Sequence, residues 1–370
     1  MNFTTRFDEI LHQVDLIDPV EYGKTRNFID GAVTKLSPYI SRGVISTRMV
    51  FHRIMQRGYN PKDIEKFIQE LAWRDYWQQV WISKGDEINN DLRRPQPNVL
   101  HDKMPNGLIN AETGIDAIDQ AINQFYQTGY LHNHVRMYIA SLACNIGKSH
   151  WKIPAKWMYY HLLDADWASN ALSWQWVAGA NAGKQYLANQ DNINRYCHTT
   201  QKNTYLDVSY EALENLPVPS ELSETVLPEL STPLLKTSSI EIDPKKATLL
   251  YNCYNIDPNW HREEDFNRVL LLEPSVFERH PVSQKTIDFV LDLSANIKHI
   301  QVFIGEFETL KNEYGLTQFI YKEHPLNQYD GIQEPRDWMF GVTGYFPSFF
   351  GYWKHCQKEL AEWNQSTLFG

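Results

Sequence analysis

Residues 63–84 read DIEKFIQELAWRDYWQQVWISK, a run of 22 positions without glycine or proline that stops at Gly85. Phe67, Leu71, Trp77 and Trp81 recur in it at helical spacing. Asn60-Pro61 just ahead supplies a cap residue and a proline suited to a first helical turn. The pattern predicts a helix. Glu70, Trp73, Arg74 and Trp77 stand at i, i+3, i+4 and i+7 and so share one of its faces. A carboxylate and a guanidinium among indoles make either a salt-bridged, partly exposed face or a flat aromatic wall with a hydrogen-bonding acid beside it.

Helical character continues to about residue 200. Thr113 with Asp116 has the form of a capping box opening TGIDAIDQAINQFYQTG, which Gly129 ends. A third helix should cover HNHVRMYIASLACNI and end at Gly147, another should begin at Pro154, and a fifth should run through ASNALSWQWVAGA. The stretch 86–112 is rich in Pro, Asn and Gly and reads as a long surface loop. On the third helix Asn133, Arg136 and Met137 share a face. An amide, a cation and a soft thioether together suit a planar, hydrogen-bonding heterocycle. His132 and His134, at i and i+2, diverge, which favours capping or surface roles over metal ligation. Asp164 and Asp166 precede the fifth helix, where carboxylates complement the helix dipole. No metal site is expected.

Residues 206–246 alternate Pro, Ser and Glu without sustained periodicity, as a linker or an extended strap does. Beyond them ATLLYNCYNI, RVLLLEPS, HIQVFIGEF and TQFIYKEH are short apolar runs, with helical spacing in SQKTIDFVLDLSANI and FETLKNEYG between them. Strands alternating with helices predict a small, mostly parallel α/β sheet. The expected division is a helical domain over 1–205, a strap over 206–246 and an α/β domain over 247–370.

The whole chain of 370 residues carries a net charge of −10, which by itself disfavours a nucleic-acid partner. That charge is unevenly spread. Residues 1–200 hold 21 Lys and Arg against 20 Asp and Glu, whereas residues 201–370 hold 14 against 25. The acidity thus belongs to the carboxyl-terminal part; Arg42, Arg48, Arg53, Arg57 and the Arg93-Arg94 pair are candidates for a local cationic face, although charge alone favours an ordinary solvated helical surface. Four dispersed cysteines without a CxxC, no secretory start and no long apolar run predict a cytoplasmic protein with reduced thiols and no membrane span.

Four separated motifs carry a family resemblance. They are Thr34-Lys35-Leu36-Ser37-Pro38-Tyr39, ELAWRDYW (70–77), TGYLHNHVRM (128–137) and LLDADWASNALSWQW (162–176). In this order they resemble the FAD-binding helical domain of the DNA photolyase and cryptochrome family, over about residues 20–200. The fold class implied is an α-helical FAD-binding photolyase domain followed by a small α/β domain. The resemblance assigns Tyr22, Val33, Thr34, Lys35, Leu36 and Ser37 to the phosphates and ribityl chain of FAD. Phe67, Glu70, Arg74, Asn133, Arg136, Asp164, Asp166 and Asn170 would line the rest of its pocket. Arg136 and Asp164 would pair across the isoalloxazine, and Asn170 would face flavin N5, a neutral amide where plant and insect cryptochromes have aspartate or cysteine.

By the same resemblance Glu70, Trp73, Asn133, Met137 and Trp176 would contact a cyclobutane pyrimidine dimer in UV-damaged DNA. The (6-4) photolyases place histidines at the positions of Asn133 and Met137. The implied activity is light-dependent repair of that lesion by electron transfer from reduced FAD; the alternative is a cryptochrome-like photoreceptor without repair. Trp174 and Trp151 match the inner and middle members of a tryptophan relay. The outer one is missing from 86–112, so a tyrosine or Trp81 is its candidate replacement. His134 stands where many repair members have arginine. The family's amino-terminal antenna domain is not in its usual place, and residues 268–307 resemble part of it, which implies a rearranged order with the acidic α/β domain last. An antenna chromophore does not follow from that looser likeness.

Overall fold

The computed structural model describes residues 3–181, 183–234 and 239–368. The chain divides into two compact units, each assembled from separate stretches. The first takes in residues 24–33 and 84–230; the second takes in residues 3–23, 34–83 and 231–368. The division by sequence character at 205 and 246 stands beside this one as a proposal.

The first unit is helical. Its helix Asp116–Thr128 ends at Gly129, whose left-handed φ of 69° lets its N–H reach the Phe125 carbonyl. The start of that helix departs from the expected capping box. Thr113 donates through both its N–H and its hydroxyl to Asp119, at 2.8 and 2.6 Å, and the Asp116 N–H turns to Gln201 instead. The helix Asn133–Ser141 continues into a π turn, Leu142–Ile146, that closes at Gly147. Lys152–His161 and Trp167–Ala178 follow, both within two residues of their expected starts.

The stretch 86–112 is more ordered than its composition suggests. It contains β1 (Met104–Pro105) and the helix Asn106–Asn110, and the strap returns to it as β2 (Thr225–Val226), antiparallel to β1. Its few apolar side chains are supplemented by polar ones that satisfy buried backbone. Gln96, buried, donates to the Ser149 carbonyl at 2.8 Å and accepts from the Trp151 N–H at 2.9 Å. The strap itself carries two short helices, Tyr210–Glu214 and Ser220–Ser223; its residues 235–238 lie outside the described ones.

The second unit contains a five-stranded sheet: β3 (Thr248–Tyr251), β4 (Asn267–Leu272), β5 (Ile300–Ile304), β6 (Phe319–Lys322) and β7 (Ile332–Glu334). Every pairing is parallel, in the order β5-β4-β3-β6-β7. The four apolar runs form the first four of these strands. Five consecutive buried residues in β4 show why they read as continuous runs, since a parallel sheet is covered on both faces. Leu250, Val269, Leu271, Phe303, Phe307 and Phe319 belong to one apolar cluster on this sheet.

Chain order reverses between β3 and β6, and the crevice beyond the strand ends there is where such sheets usually take ligands. Here it is filled. Tyr254 stacks on His324 with ring centroids 4.1 Å apart, and Arg42, fully buried, donates to the Cys253 carbonyl at 3.1 Å. Gly43 makes that approach possible. It has φ +65°, and a Cβ on it would lie 2.4 Å from the Tyr254 carbonyl oxygen.

The long helix Glu65–Lys84 belongs, except for its last residue, to this second unit. It begins four residues later than Pro61, because the Asn60 side chain caps a separate turn by accepting from the Lys62 N–H. A helix that the sequence reading did not anticipate, Phe349–Leu368, packs on it. Phe349, Tyr352, Trp353, Cys356 and Leu360 are buried. At about 1.5–3 kcal/mol for each large apolar side chain, that burial contributes on the order of 10 kcal/mol before chain entropy is subtracted. Polar contacts fix the register: Trp353 donates to Glu65 at 3.3 Å, Tyr76 to the Phe346 carbonyl at 3.1 Å, and the Gly344 N–H to Gln79 at 3.0 Å.

At the middle of the long helix Asp75 is buried. It accepts from the Thr47 hydroxyl at 2.9 Å and from the Met339 N–H at 2.9 Å. Loss of water pushes its carboxyl up from 3.8 to about 6, against the lowering effect of the Met339 N–H and the Thr47 hydroxyl. An acid with a raised folded-state pKa takes up a proton on folding, so its contribution weakens the fold as pH rises from 3.8 to about 6. Asp75→Asn removes that dependence. Urea midpoints measured from pH 4 to 7 should show the variant gaining on the wild type by up to about 3 kcal/mol across the window; parallel profiles would remove the assignment.

Candidate functional site

The residues singled out from the sequence fall into two groups, one in each unit. In the first unit the helix that begins at Asn133 carries Arg136, whose Nη2 donates to both oxygens of Asp164 at 3.1 and 2.9 Å and whose Nε donates to the Leu131 carbonyl at 3.0 Å. Asp164 is 4% exposed. The two therefore meet directly, one guanidinium nitrogen bonding both carboxylate oxygens. Burial of so charged a pair is tolerable only because both ends are hydrogen-bonded. Tyr130 lies under the guanidinium, at 5.9 Å, and its burial pushes the phenol up to about 12, so it stays a neutral donor at any ordinary pH.

Asp166 caps the helix Trp167–Ala178 by accepting from the Ser169 N–H at 2.7 Å. One turn on, the Asn170 amide donates to the Ala155 carbonyl at 2.7 Å, which fixes its carboxamide. Between them the Ser169 hydroxyl is buried without a protein hydrogen-bond partner. His132 caps its helix through Nδ1, which accepts from the His134 N–H at 3.1 Å, as the i, i+2 argument anticipates. His134 is half-buried against Tyr138 and Tyr196, and desolvation followed by Arg26 lowers its pKa. Asn133 is exposed, Met137 half-buried and Trp176 39% exposed, which leaves these three open to a ligand. Val33 donates its N–H to Gly31 within a turn.

Trp174 and Trp151 are both buried. The Trp151 indole donates to Asp91 at 2.7 Å, and its ring lies 6.5 Å from that of Trp167, which in turn meets Tyr159 at 5.6 Å. Asp91, Trp167 and Tyr159 were not among the residues expected here. Trp81, named as a candidate outer donor, belongs to the second unit and packs on His324 at 5.1 Å.

In the second unit Tyr22 meets Phe67 edge to face at 5.3 Å, so two residues distant in sequence line one spot. Lys35 has φ 55°, an uncommon conformation for a side chain of its size, and ends the stretch before the short helix Ser37–Ser41. The Leu36 N–H approaches the Thr34 hydroxyl at 3.4 Å, and Leu36 is buried. Arg74 donates to the Ser41 hydroxyl. Glu70 and Trp73 are part-buried on the next face of the long helix. Trp73 is covered by its own chain: Phe349 stacks on it with ring centroids 3.8 Å apart and planes 9° from parallel. Phe349 escaped the sequence reading, although Phe349, Tyr352, Cys356 and Leu360 recur at helical spacing.

As a donor set the residues of the first unit suit a flavin: a guanidinium and a carboxylate complement the edge of a ring rich in N and O, and an unpartnered buried hydroxyl, that of Ser169, is left to bond a ligand.

Comparison with known proteins agrees with that chemistry. Residues 67–216 match the family model described as the FAD binding domain of DNA photolyase. A deoxyribodipyrimidine photo-lyase of Alkalihalophilus pseudofirmus is 27% identical over 50% of this chain and 39% of its own. One of Streptomyces griseus is 33% identical over 40% and 32%, and a cryptochrome DASH of Danio rerio is 30% identical over 43% and 32%. The chain thus spans between about a third and two fifths of the length of these relatives. Among solved structures, a bacterial class III photolyase from Agrobacterium tumefaciens is 22% identical, with a TM-score of 0.43 over 56% of this chain and 54% of that one. Residues 67–216 of this chain are thus similar to the FAD-binding domains of DNA photolyases and cryptochromes.

Proposed function

We propose that the protein uses light and reduced FAD to split cyclobutane pyrimidine dimers in DNA. The observation that carries this reading is the Arg136–Asp164 ion pair, its carboxylate buried and its guanidinium partly so, followed in sequence by Asp166 and Asn170, inside the segment that matches the FAD-binding domain. When bound, FAD supplies a light-absorbing one-electron donor. The other tasks fall to the chain. Arg136 and Asp164 orient the ring, and Asn170, neutral and fixed by Ala155, offers no acidic proton beside it. Glu70 hydrogen-bonds the pyrimidine edge as negative charge builds there, while Trp73, on the same helix, receives an extruded base. A dimer stacks poorly in the duplex, which lowers the cost of extruding it.

Binding of damaged DNA in this scheme involves phosphate contacts and weakens as salt rises. The four cysteines are free and buried, in keeping with a reducing compartment, and we place the protein in the cytoplasm. Among the described residues no helix is long and apolar enough to cross a membrane. The sheet of the second unit, which follows the strap in sequence, we read as a relocated relative of the family's antenna domain.

A second reading, a photoreceptor without repair, is favoured by one observation, the Phe349 ring lying on Trp73. Blue-light illumination of a thymine-dimer oligonucleotide, followed through recovery of thymine absorbance, separates the two; intact dimers after illumination of the FAD-loaded protein would leave the photoreceptor. Glu70→Ala should retain FAD and lose repair by on the order of 10²-fold, the size expected when a group acting only on developing charge is removed. Full repair in that variant would contradict its role. In the relay, Trp151→Phe should slow photoreduction of the oxidised cofactor in flash photolysis, and an unchanged rate would remove Trp151 from the path.

A further inference from the structure

Phe349 covers a face of the Trp73 ring. The two ring centroids are 3.8 Å apart with planes 9° from parallel, Trp353 lies 6.2 Å from Phe349 at 11°, and Tyr76 meets Phe349 edge-on at 5.9 Å. Phe349 is 3% exposed and is the first residue of its helix, with Tyr352, Trp353, Cys356 and Leu360 buried further along it. The helix as a body is pinned through Trp353 and Gln357 on Glu65 and through Glu359 on the Gly341 N–H, contacts that do not involve the Phe349 side chain.

We infer that Phe349 is an intramolecular rival on the base-stacking face: it competes with an incoming base for Trp73. This rests on the reading that Trp73 receives an extruded lesion. Displacing the ring costs the same whichever base arrives, so the contact lowers the affinity of every ligand that takes this face of Trp73 and leaves the choice between ligands to their own contacts.

The test uses the full-length, FAD-loaded chain in the dark, with a fluorescently labelled single-stranded oligonucleotide carrying one thymine dimer and its undamaged counterpart as probes. Binding is read by anisotropy for the wild type, Phe349→Ala and Phe349→Leu, with thermal melts to establish that each variant is folded. Phe349→Leu keeps most of the volume without a flat ring and serves if the alanine variant does not fold. Loss of the rival ring should tighten binding of the dimer probe by about tenfold, the size of one base–aromatic stack, and of the undamaged probe by no more than that. Adding Trp73→Ala should abolish the gain.

Unchanged affinities in a folded variant, or a gain that survives Trp73→Ala, would overturn the inference while wild-type preference for the dimer leaves the repair reading standing. A wild type and variants that hold FAD yet show no preference for the dimer would overturn both.

Discussion

Asp75 is the point at which three separate stretches of the second unit are joined. Its carboxyl receives the Thr47 hydroxyl from one helix and the Met339 N–H from the segment leading to the last helix, while its own backbone belongs to Glu65–Lys84. A polar group so placed is costly unless every lone pair is used. Once satisfied, it sets the register of everything around it. The row of side chains on the same helix, Glu65, Tyr76 and Gln79, then finds its partners in 344–357, and Trp73 is brought under Phe349. The aromatic stack follows from a buried acid two residues along the helix from Trp73.

The first unit solves a different problem. It has to keep a guanidinium and a carboxylate together at low exposure, and it does so with local devices: the Leu131 carbonyl for Arg136, and short capping turns ahead of the helices that carry Asp166 and Asn133. Arg136, Asp166 and Asn170 are each held by a bond to backbone, so their orientation is set locally and does not depend on a ligand. Such a scaffold is preorganised, which lowers the ordering cost of binding.

Much of this was legible in the sequence. Two helices of the first unit were marked by Gly129 and Gly147 at their ends, and the strands β3 to β6 by their continuous apolar runs. The motifs containing Arg136, Asp164 and Asn170 were visible through their order alone. Other features were not. The Thr113 partner moved from Asp116 to Asp119 because a three-residue spacing in sequence does not say where the first turn begins. The stretch 86–112 gained order from Gln96 and from pairing with the strap, both long-range contacts that composition does not record. Phe349 was missed because its partner, Trp73, lies 276 positions earlier in the chain.

The Gly43 turn carries a consequence for how the polypeptide is held as one piece. Residues 42–43, from the amino-terminal third, lie directly on the loop after β3, with the Ile256 N–H bonded to the Arg42 carbonyl and Arg42 itself bonded to Cys253. The sheet thus owns part of the early chain as its lining. A protease that severed the strap would cut the covalent thread without parting the fragments, since the downstream fragment would still clasp the upstream one. Swapping the sheet for another α/β module would strip Arg42 of its seat, so grafting has to carry both segments together.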